Sequence, residues 1–385
     1  MGYQEAAILS TLRIAKTVNA LVDPRLIPGD LRFLKRTPIV PTVDGEIISR
    51  VLNQVLTADI IADDQRSHVY AAVRVKFELN HIPKIKIGVS MSEAMISIFN
   101  AIKQSPTPDS ADVDRFANYQ QQVLKNVIRG VQQRMEALIV AMNCDQVSPS
   151  YNRLGIQFGS DISWGMWSDL KVVVGNAWSD PVNGTPVNDM LGLKLIGSTK
   201  YGKDYNRVTM STAAFRLAIA TAEFQAKARQ YLAPNVSYIN LPLANIQQQQ
   251  QIAGNVLGME VELYDARHPQ PSTSGGAPVY TPYLPLNFAI LSQTSNDNNE
   301  NIMDFGNTMP VETMMGQAPG IVGGGFPAPA YGPIGYAALA DARLDPPGYI
   351  YYGVGRGFPR KYDQAATAVL NVGTVADIIA PSIVF

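Results

Sequence analysis

The sequence predicts an α+β fold, and three stretches carry that prediction. Between Ser110 and Met142, the residues Val113, Phe116, Val123, Leu124, Val127, Ile128, Val131, Met135, Leu138, Ile139 and Met142 fall on one face of a helix. At 1.5 Å of rise per residue such a helix runs to roughly 50 Å, a spine rather than one member of a bundle. A coiled coil is the alternative, but no further heptads follow the stripe. Val73, Val75, Phe77 and Leu79 alternate with Arg74, Lys76, Glu78 and Asn80, the period of a strand with one solvated face. Met259, Val261 and Leu263 alternate with Glu260, Glu262 and Tyr264 in a second strand, opened by Gly258.

The remaining elements follow in chain order. Ile8, Leu12, Ala15, Val18 and Val22 share one face of a short helix that stops at Asp23 and Pro24. Residues 26–43 contain Pro28, Pro38 and Pro41, which suits an extended tether. From Gly45 to Asp64 the spacing of Ile47, Ile48, Val51, Leu52, Val55 and Leu56 fits a helix, whereas the β-branched content favours a strand. Lys84 and Lys86 alternate with Ile85, Ile87 and Val89, and Ser90 with Glu93 reads as a capping box for a helix through Ile102. Ser110 is placed to cap the spine, with Asp112 and Asp114 in its first turn. Leu191–Ile196 reads as a strand or a helix end, and Ser211–Leu232 as one helix stopped by Pro234. A Pro-, Ser- and Gly-rich loop spans His268–Pro282, ahead of the apolar run Leu284–Leu291. Gly316–Gly335 has little periodicity, and Tyr349–Val375 begins β-like and ends in an alternating apolar pattern.

Composition narrows the function. With 385 residues the chain can bury a large core, and length alone suggests two or three domains. Charged residues make up 16% against a usual share of about a quarter, while the hydrophobic fraction of 46% is ordinary. Uncharged polar loops explain this, and so does a surface covered by neighbouring subunits, because interface centres are depleted in charge. Lys and Arg total 31 and Asp and Glu 32, and a net charge of −1 excludes global attraction to nucleic acid. The single Cys144 rules out an intramolecular disulfide framework and reads as a buried thiol. No apolar run is long enough to span a bilayer, and the first residues lack the layout of a signal peptide, so a soluble chain not secreted by that route is expected.

The search for chemistry returns no catalytic, cofactor-binding or metal-binding residues. Gly197-Ser-Thr-Lys-Tyr-Gly202-Lys203 has the spacing of a phosphate loop, with Leu193–Ile196 as its candidate strand. Asp204 then stands where a hydroxyl should bind magnesium, and Tyr205–Met210 reads as strand where the anion-binding helix should begin. Gly353, Gly355 and Gly357 lack the dinucleotide spacing. His68, His81 and His268 are far apart and have no second ligand at metal spacing. Lys84 and Lys86 read as the solvated face of a strand.

The order of arm, strand-rich excursion, strand, spine, mixed region and returning strand resembles the major capsid proteins of tailed bacteriophages. The likeness is to the phage lambda major capsid protein E family, with its Hong Kong 97-type shell fold. It rests on Ala58-Asp-Ile-Ile-Ala-Asp-Asp64, Pro83-Lys-Ile-Lys-Ile-Gly88, Val208-Thr-Met-Ser-Thr-Ala-Ala-Phe215, Gly258–Tyr264 and Tyr283-Leu-Pro-Leu-Asn287. The resemblance implies an N-terminal arm (1–42), an extended β-hairpin loop (43–70), a peripheral domain (71–166) with the spine at 110–143, an axial domain (167–347) and a return to the peripheral domain (348–385). It tips the segment at Ile47 toward a hairpin.

It also implies a structural protein of the virion rather than an enzyme, assembled in the host cytoplasm without membrane or cofactor. Expected partners are its own copies in hexamers and pentamers, a portal, a scaffold, a decoration protein and non-specifically contacted packaged DNA. Arms and loops of this kind bury surface only against neighbours, which makes Ile8, Leu12, Ile47 and Ile48 candidate subunit-interface residues. Asp59, Asp63 and Asp64 beside Arg66 form a charge cluster that either pairs across a subunit boundary or sits at an exposed loop tip. Gly130, mid-spine, costs roughly 1 kcal/mol relative to Ala, which close packing or a bending point would explain. An encapsulin-like compartment shares the fold and is the alternative reading; a cytoplasmic enzyme would form a small oligomer and need a catalytic cluster.

Overall fold

A computed structural model describes residues 29–37, 39–41, 48–51, 74–77, 84–90, 93–104, 109–145, 166–232, 245–270, 279–293, 303–307, 334–341, 348–361 and 363–375. The helices are α1 (Arg32–Arg36), α2 (Glu93–Gln104), α3 (Ser110–Asn143), α4 (Pro186–Tyr201), α5 (Thr212–Ala220), α6 (Ala222–Leu232) and α7 (Ile246–Leu257). The strands up to the middle of the chain are β1 (Ile39–Pro41), β2 (Ile48–Val51), β3 (Arg74–Phe77), β4 (Lys84–Ser90), β5 (Lys171–Val173), β6 (Arg207–Met210) and β7 (Glu260–Leu263). The rest are β8 (Arg267–Gln270), β9 (Val279–Pro282), β10 (Phe288–Ser292), β11 (Met303–Asn307), β12 (Ile334–Asp341), β13 (Gly348–Lys361) and β14 (Thr367–Asn371). The chain forms two compact units, one from residues 1–50, 74–139 and 303–360, the other from 51–73, 140–302 and 361–385.

The spine is one helix of 34 residues, as its apolar stripe predicts, and residues 110–139 of it belong to the first unit. Val127, Ile128, Val131, Met135, Leu138 and Ile139 are buried along it. Phe116, Val123 and Val127 pack with Ile102 of α2, and Met95, Ile96 and Ile98 lie against them. The cap differs from expectation: Ala111 N–H donates to the Asp109 carboxylate at 3.0 Å, so Asp109 and not Ser110 closes the N-terminus. A carboxylate there meets both the free amide and the positive end of the helix dipole. Ser90 is likewise not a cap. It ends β4 opposite Ile350, and α2 starts at Glu93 and runs past Ile102 to Gln104.

The expected tether at residues 26–43 contains a turn of helix instead. Leu31 and Leu34 are buried at α1, where two apolar side chains and a carboxylate from the spine outweigh the extending effect of the nearby prolines. The ambiguous segment after Gly45 is strand at Ile48–Val51, paired with β3. The sheet of this unit runs β1-β11-β13-β12, with β4 also pairing β13. Gly353 and Gly355 lie opposite Ile87 and Ile85 in that ladder.

The second unit holds a sheet in the order β5-β14-β10-β6-β7. β10 is antiparallel to β14 and β6, while β5 and β7 add in parallel at the edges. Trp178, Tyr205, Phe215, Phe224, Leu193 and Leu257 belong to the core around it. Leu191–Ile196 is the middle of α4, which begins with Pro186 and ends at Gly202 in the left-handed region (φ 64°). The expected single helix Ser211–Leu232 is two. Ser211 caps α5 by accepting from Ala214 N–H at 3.0 Å, but Thr221 is extended. Its hydroxyl donates to Ala218 O at 2.8 Å and accepts from Phe224 N–H at 3.3 Å, ending one helix and capping the next. Helix α7 carries an Asn245/Gln248 capping box and a Gly258 stop (φ 60°). The expected loop His268–Pro282 contains the paired strands β8 and β9.

Candidate subunit-contact surface

The segment with phosphate-loop spacing cannot hold a phosphate, for a reason sharper than the one its sequence offers. Gly197–Tyr201 is the end of α4, and the amides of Gly202 and Lys203 are spent on Ser198 O and Gly197 O. An anion would meet the carbonyl end of the helix dipole, which repels it. Lys203 is paired with Asp363 at 2.6 Å, and Asp204 with Lys194 at 3.4 Å. Among the described residues no three His, Cys, Asp or Glu side chains gather where a metal could bind, and no helix is long and apolar enough to cross a membrane. Cys144 is fully buried, and that burial pushes its thiol up to about 12, so it stays protonated and unreactive. His268 is stacked on Tyr283, with ring centroids 4.6 Å apart. His68 and His81 lie outside the described residues.

Charge in the second unit is matched locally. Lys171 meets Asp145, Lys200 meets Asp169 at 2.6 Å, Arg207 meets Glu260 at 2.8 Å and Lys227 meets Glu223. Glu223 also accepts from Val187 N–H at 3.0 Å and Asn188 N–H at 3.2 Å, holding the first turn of α4. Asp189 in the same turn accepts from Trp178 Nε1–H at 2.9 Å. Burial, against the hydrogen bonds from Trp178 and Thr185 and with the help of Glu223, holds the Asp189 carboxyl above the usual carboxylate range. Such pairing leaves little net field to gather a polyanion on this unit.

In the first unit a buried charge does organising work. Glu136, on the apolar face of the spine, is 0% exposed and accepts from Phe33 N–H at 3.1 Å and Leu34 N–H at 2.5 Å. Arg129 reaches Asp30 at 2.8 Å two turns earlier. The chain at 29–37 is thereby tied to its own spine. The signal was present in the sequence: Glu136 adjoins Met135 and lies between Gln132 and Ile139 on a buried stripe.

Among the candidate interface residues, Ile8, Leu12, Ile47, Asp59, Asp63, Asp64 and Arg66 lie outside the described residues, and Ile48 is the first residue of β2. Gly130 lies under Ile87. A Cβ there would come 2.8 Å from Ile87 Cδ1, which favours close packing as the reason for glycine. What sequence reasoning missed is a set of large apolar side chains left bare on the second unit: Val173, Val182, Leu195, Val279 and Tyr280. Trp167, partly exposed, stacks on Tyr201 at 5.9 Å. Val279 and Tyr280 are neighbours in β9, whereas Val173, Val182 and Leu195 are separate in sequence, and apolar side chains exposed singly are ordinary on a protein surface.

No family model matches the sequence, and no curated protein matches it. Solved structures do. The putative capsid protein of a prophage from E. coli CFT073 is 12% identical, with a TM-score of 0.52 over 93% of this chain and 99% of that one. A phage-related protein from Bordetella bronchiseptica RB50 is 10% identical, with a TM-score of 0.51 over 93% and 95%. The chain shares their mixed α+β fold.

Proposed function

We propose that this chain is the major capsid protein of a tailed phage, which assembles with its own copies into the icosahedral head shell around a double-stranded DNA genome. The likeness of fold to a putative prophage capsid protein, across 93% of the chain, carries the reading. The adjacent exposed side chains Val279 and Tyr280, on a unit where the described Lys200 and Arg207 are already paired with carboxylates, support it, since apolar groups are stabilised against another subunit. A wall near neutrality also lets DNA leave, where a basic lining would retain it by counterion release.

The finer reading is a Hong Kong 97-type shell protein akin to the phage lambda major capsid protein E family. Residues 1–42 then form the arm, 43–70 the extended loop, 71–166 with 348–385 the peripheral domain, and 167–347 the axial domain. Ile8, Leu12, Ile47, Ile48 and the Asp59, Asp63, Asp64 and Arg66 cluster meet neighbouring subunits. Portal, scaffold and decoration proteins complete the particle.

Negative-stain microscopy of the purified full chain tests the function. Closed shells of uniform size are expected, and a small soluble oligomer at every concentration overturns the proposal. Shells that enclose a co-expressed enzyme in place of nucleic acid support an encapsulin-like compartment instead.

A further inference from the structure

The strands β8 and β9 form a two-stranded antiparallel ribbon in the second unit, and no other described strand pairs with either. An isolated ribbon of two strands is marginally stable in water, so each end needs something to hold it. One end is held. Tyr283 is buried, donates its amide to Ala266 O at 3.1 Å, stacks on His268 and lies 6.4 Å from Tyr264.

The other end is bare. Val279 is 61% exposed and Tyr280 60%. Adjacent strand residues point to opposite faces, so the ribbon shows an apolar side chain on both faces there.

Two further observations bear on what this end can meet. From Pro269 to Asn296 the sequence has no Asp, Glu, Lys or Arg. At the bare end of the ribbon Gln270, Val279, Tyr280 and Thr281 are uncharged, the composition of an interface centre, and such an end is complementary to another uncharged surface rather than to a nucleic acid or an anionic membrane. The register is also informative. Pro269 lies opposite Tyr280 and Pro282 opposite Arg267, two pairs of the same parity. A proline fits a ladder where its nitrogen faces outward, and that parity turns the Tyr280 amide to the open edge of β9.

We propose that the outer edge of β9, with Val279 and Tyr280, is a contact surface for a second copy of this chain. The inference rests on the shell function proposed above and names a surface that builds it. The contact is one backbone amide flanked by two apolar side chains, so it adds area and register at each subunit boundary rather than a continuous intermolecular sheet.

The test uses the full chain with a photo-crosslinking amino acid in place of Tyr280, irradiated under assembly conditions. A ladder of covalent dimers and larger species supports the proposal, and monomer alone overturns it. In parallel, Val279→Asp combined with Tyr280→Lys should reduce shell yield at least tenfold while circular dichroism stays that of the parent, and Tyr280→Phe should assemble normally. Parent-like shells from the charged variant overturn the proposal and leave the shell function standing. Absence of shells from the parent chain overturns the shell function itself. If the charged variant does not fold, the crosslinking result decides.

Discussion

Ile87 closes over Gly130 so tightly that a Cβ at position 130 would lie 2.8 Å from its Cδ1 and 3.4 Å from its Cγ2. Strand β4 and the spine meet there because the helix has no side chain at that point. The obstructing atom is the far end of a side chain that is 36% exposed, so it has room to turn away. Gly130→Ala should therefore change stability by less than about 1 kcal/mol, the helical gain of alanine offsetting the displaced methyl. In an Ile87→Val background, which removes Cδ1, the same change should stabilise by about 1 kcal/mol. Urea unfolding of the four variants measures the coupling, and an equal effect of Gly130→Ala in both backgrounds would show that the contact carries no energy.

Glu136 supplies both oxygens to the amides of Phe33 and Leu34. Glu136→Ala should leave those amides short of acceptors and cost about 1–3 kcal/mol. Glu136→Gln, with a single acceptor oxygen, should fall between it and the parent. Hydrogen exchange read at residues 33 and 34 should accelerate in the same order, and unaltered protection in the alanine variant contradicts this role.

Asp189 gives a pH signature whose sign is fixed by its raised pKa, a result chiefly of burial. A carboxyl raised in the folded state favours folding below its unfolded pKa, and that contribution is lost as pH rises through the folded value. At neutral pH the ionised group costs stability. Asp189→Asn, which can still accept from Trp178, should raise the unfolding temperature at pH 7 and leave it near the parent's at pH 3. With solvent screening at a half-buried site the gain should stay below about 1 kcal/mol. Thermal unfolding across that range is the measurement, and a lower unfolding temperature at pH 7 contradicts it.

Tyr205 donates its hydroxyl to Ala365 O at 2.8 Å inside the core, with its ring against Gly197, where a Cβ would collide with Cε2. The ring is fixed at both ends and cannot yield as Ile87 can. Gly197→Ala should cost about 1–3 kcal/mol by overpacking, and Tyr205→Phe a similar amount by leaving a buried carbonyl without its donor. Chemical denaturation checks both, and a neutral Gly197→Ala would mean that the helix shifts to make room.

The spine was legible because an apolar stripe over more than thirty residues admits one regular structure, and β3, β4 and β7 were legible by alternation. The break at Thr221 was hidden because Phe215, Ile219 and Phe224 keep the stretch apolar on both sides of it, and a hydroxyl that serves two helices leaves no mark on hydrophobic content. Helix α7 was missed for the opposite reason. Its run of glutamines shows no stripe, although Asn245, Gln248 and Gly258 marked both ends. The ribbon of β8 and β9 was masked by its prolines, which signal loop to a reader of composition yet fit a ladder at outward-facing positions. Glu136 was visible as a charge on a buried face, but its partners are about a hundred residues away in sequence. The apolar contact surface needed tertiary structure, since exposure of Val279 and Tyr280 is a property of what fails to pack on them.

The alternation of prolines in β8 and β9 sets a limit on growth. An open strand edge with an amide at each outward position invites one chain after another to add in register, the route by which crowded protein turns into fibre. Here Pro269 removes an outward donor from one edge and Pro282 from the other. A newly made chain waiting in a dense pool of identical chains can engage a partner at Tyr280, but the ladder cannot propagate past it.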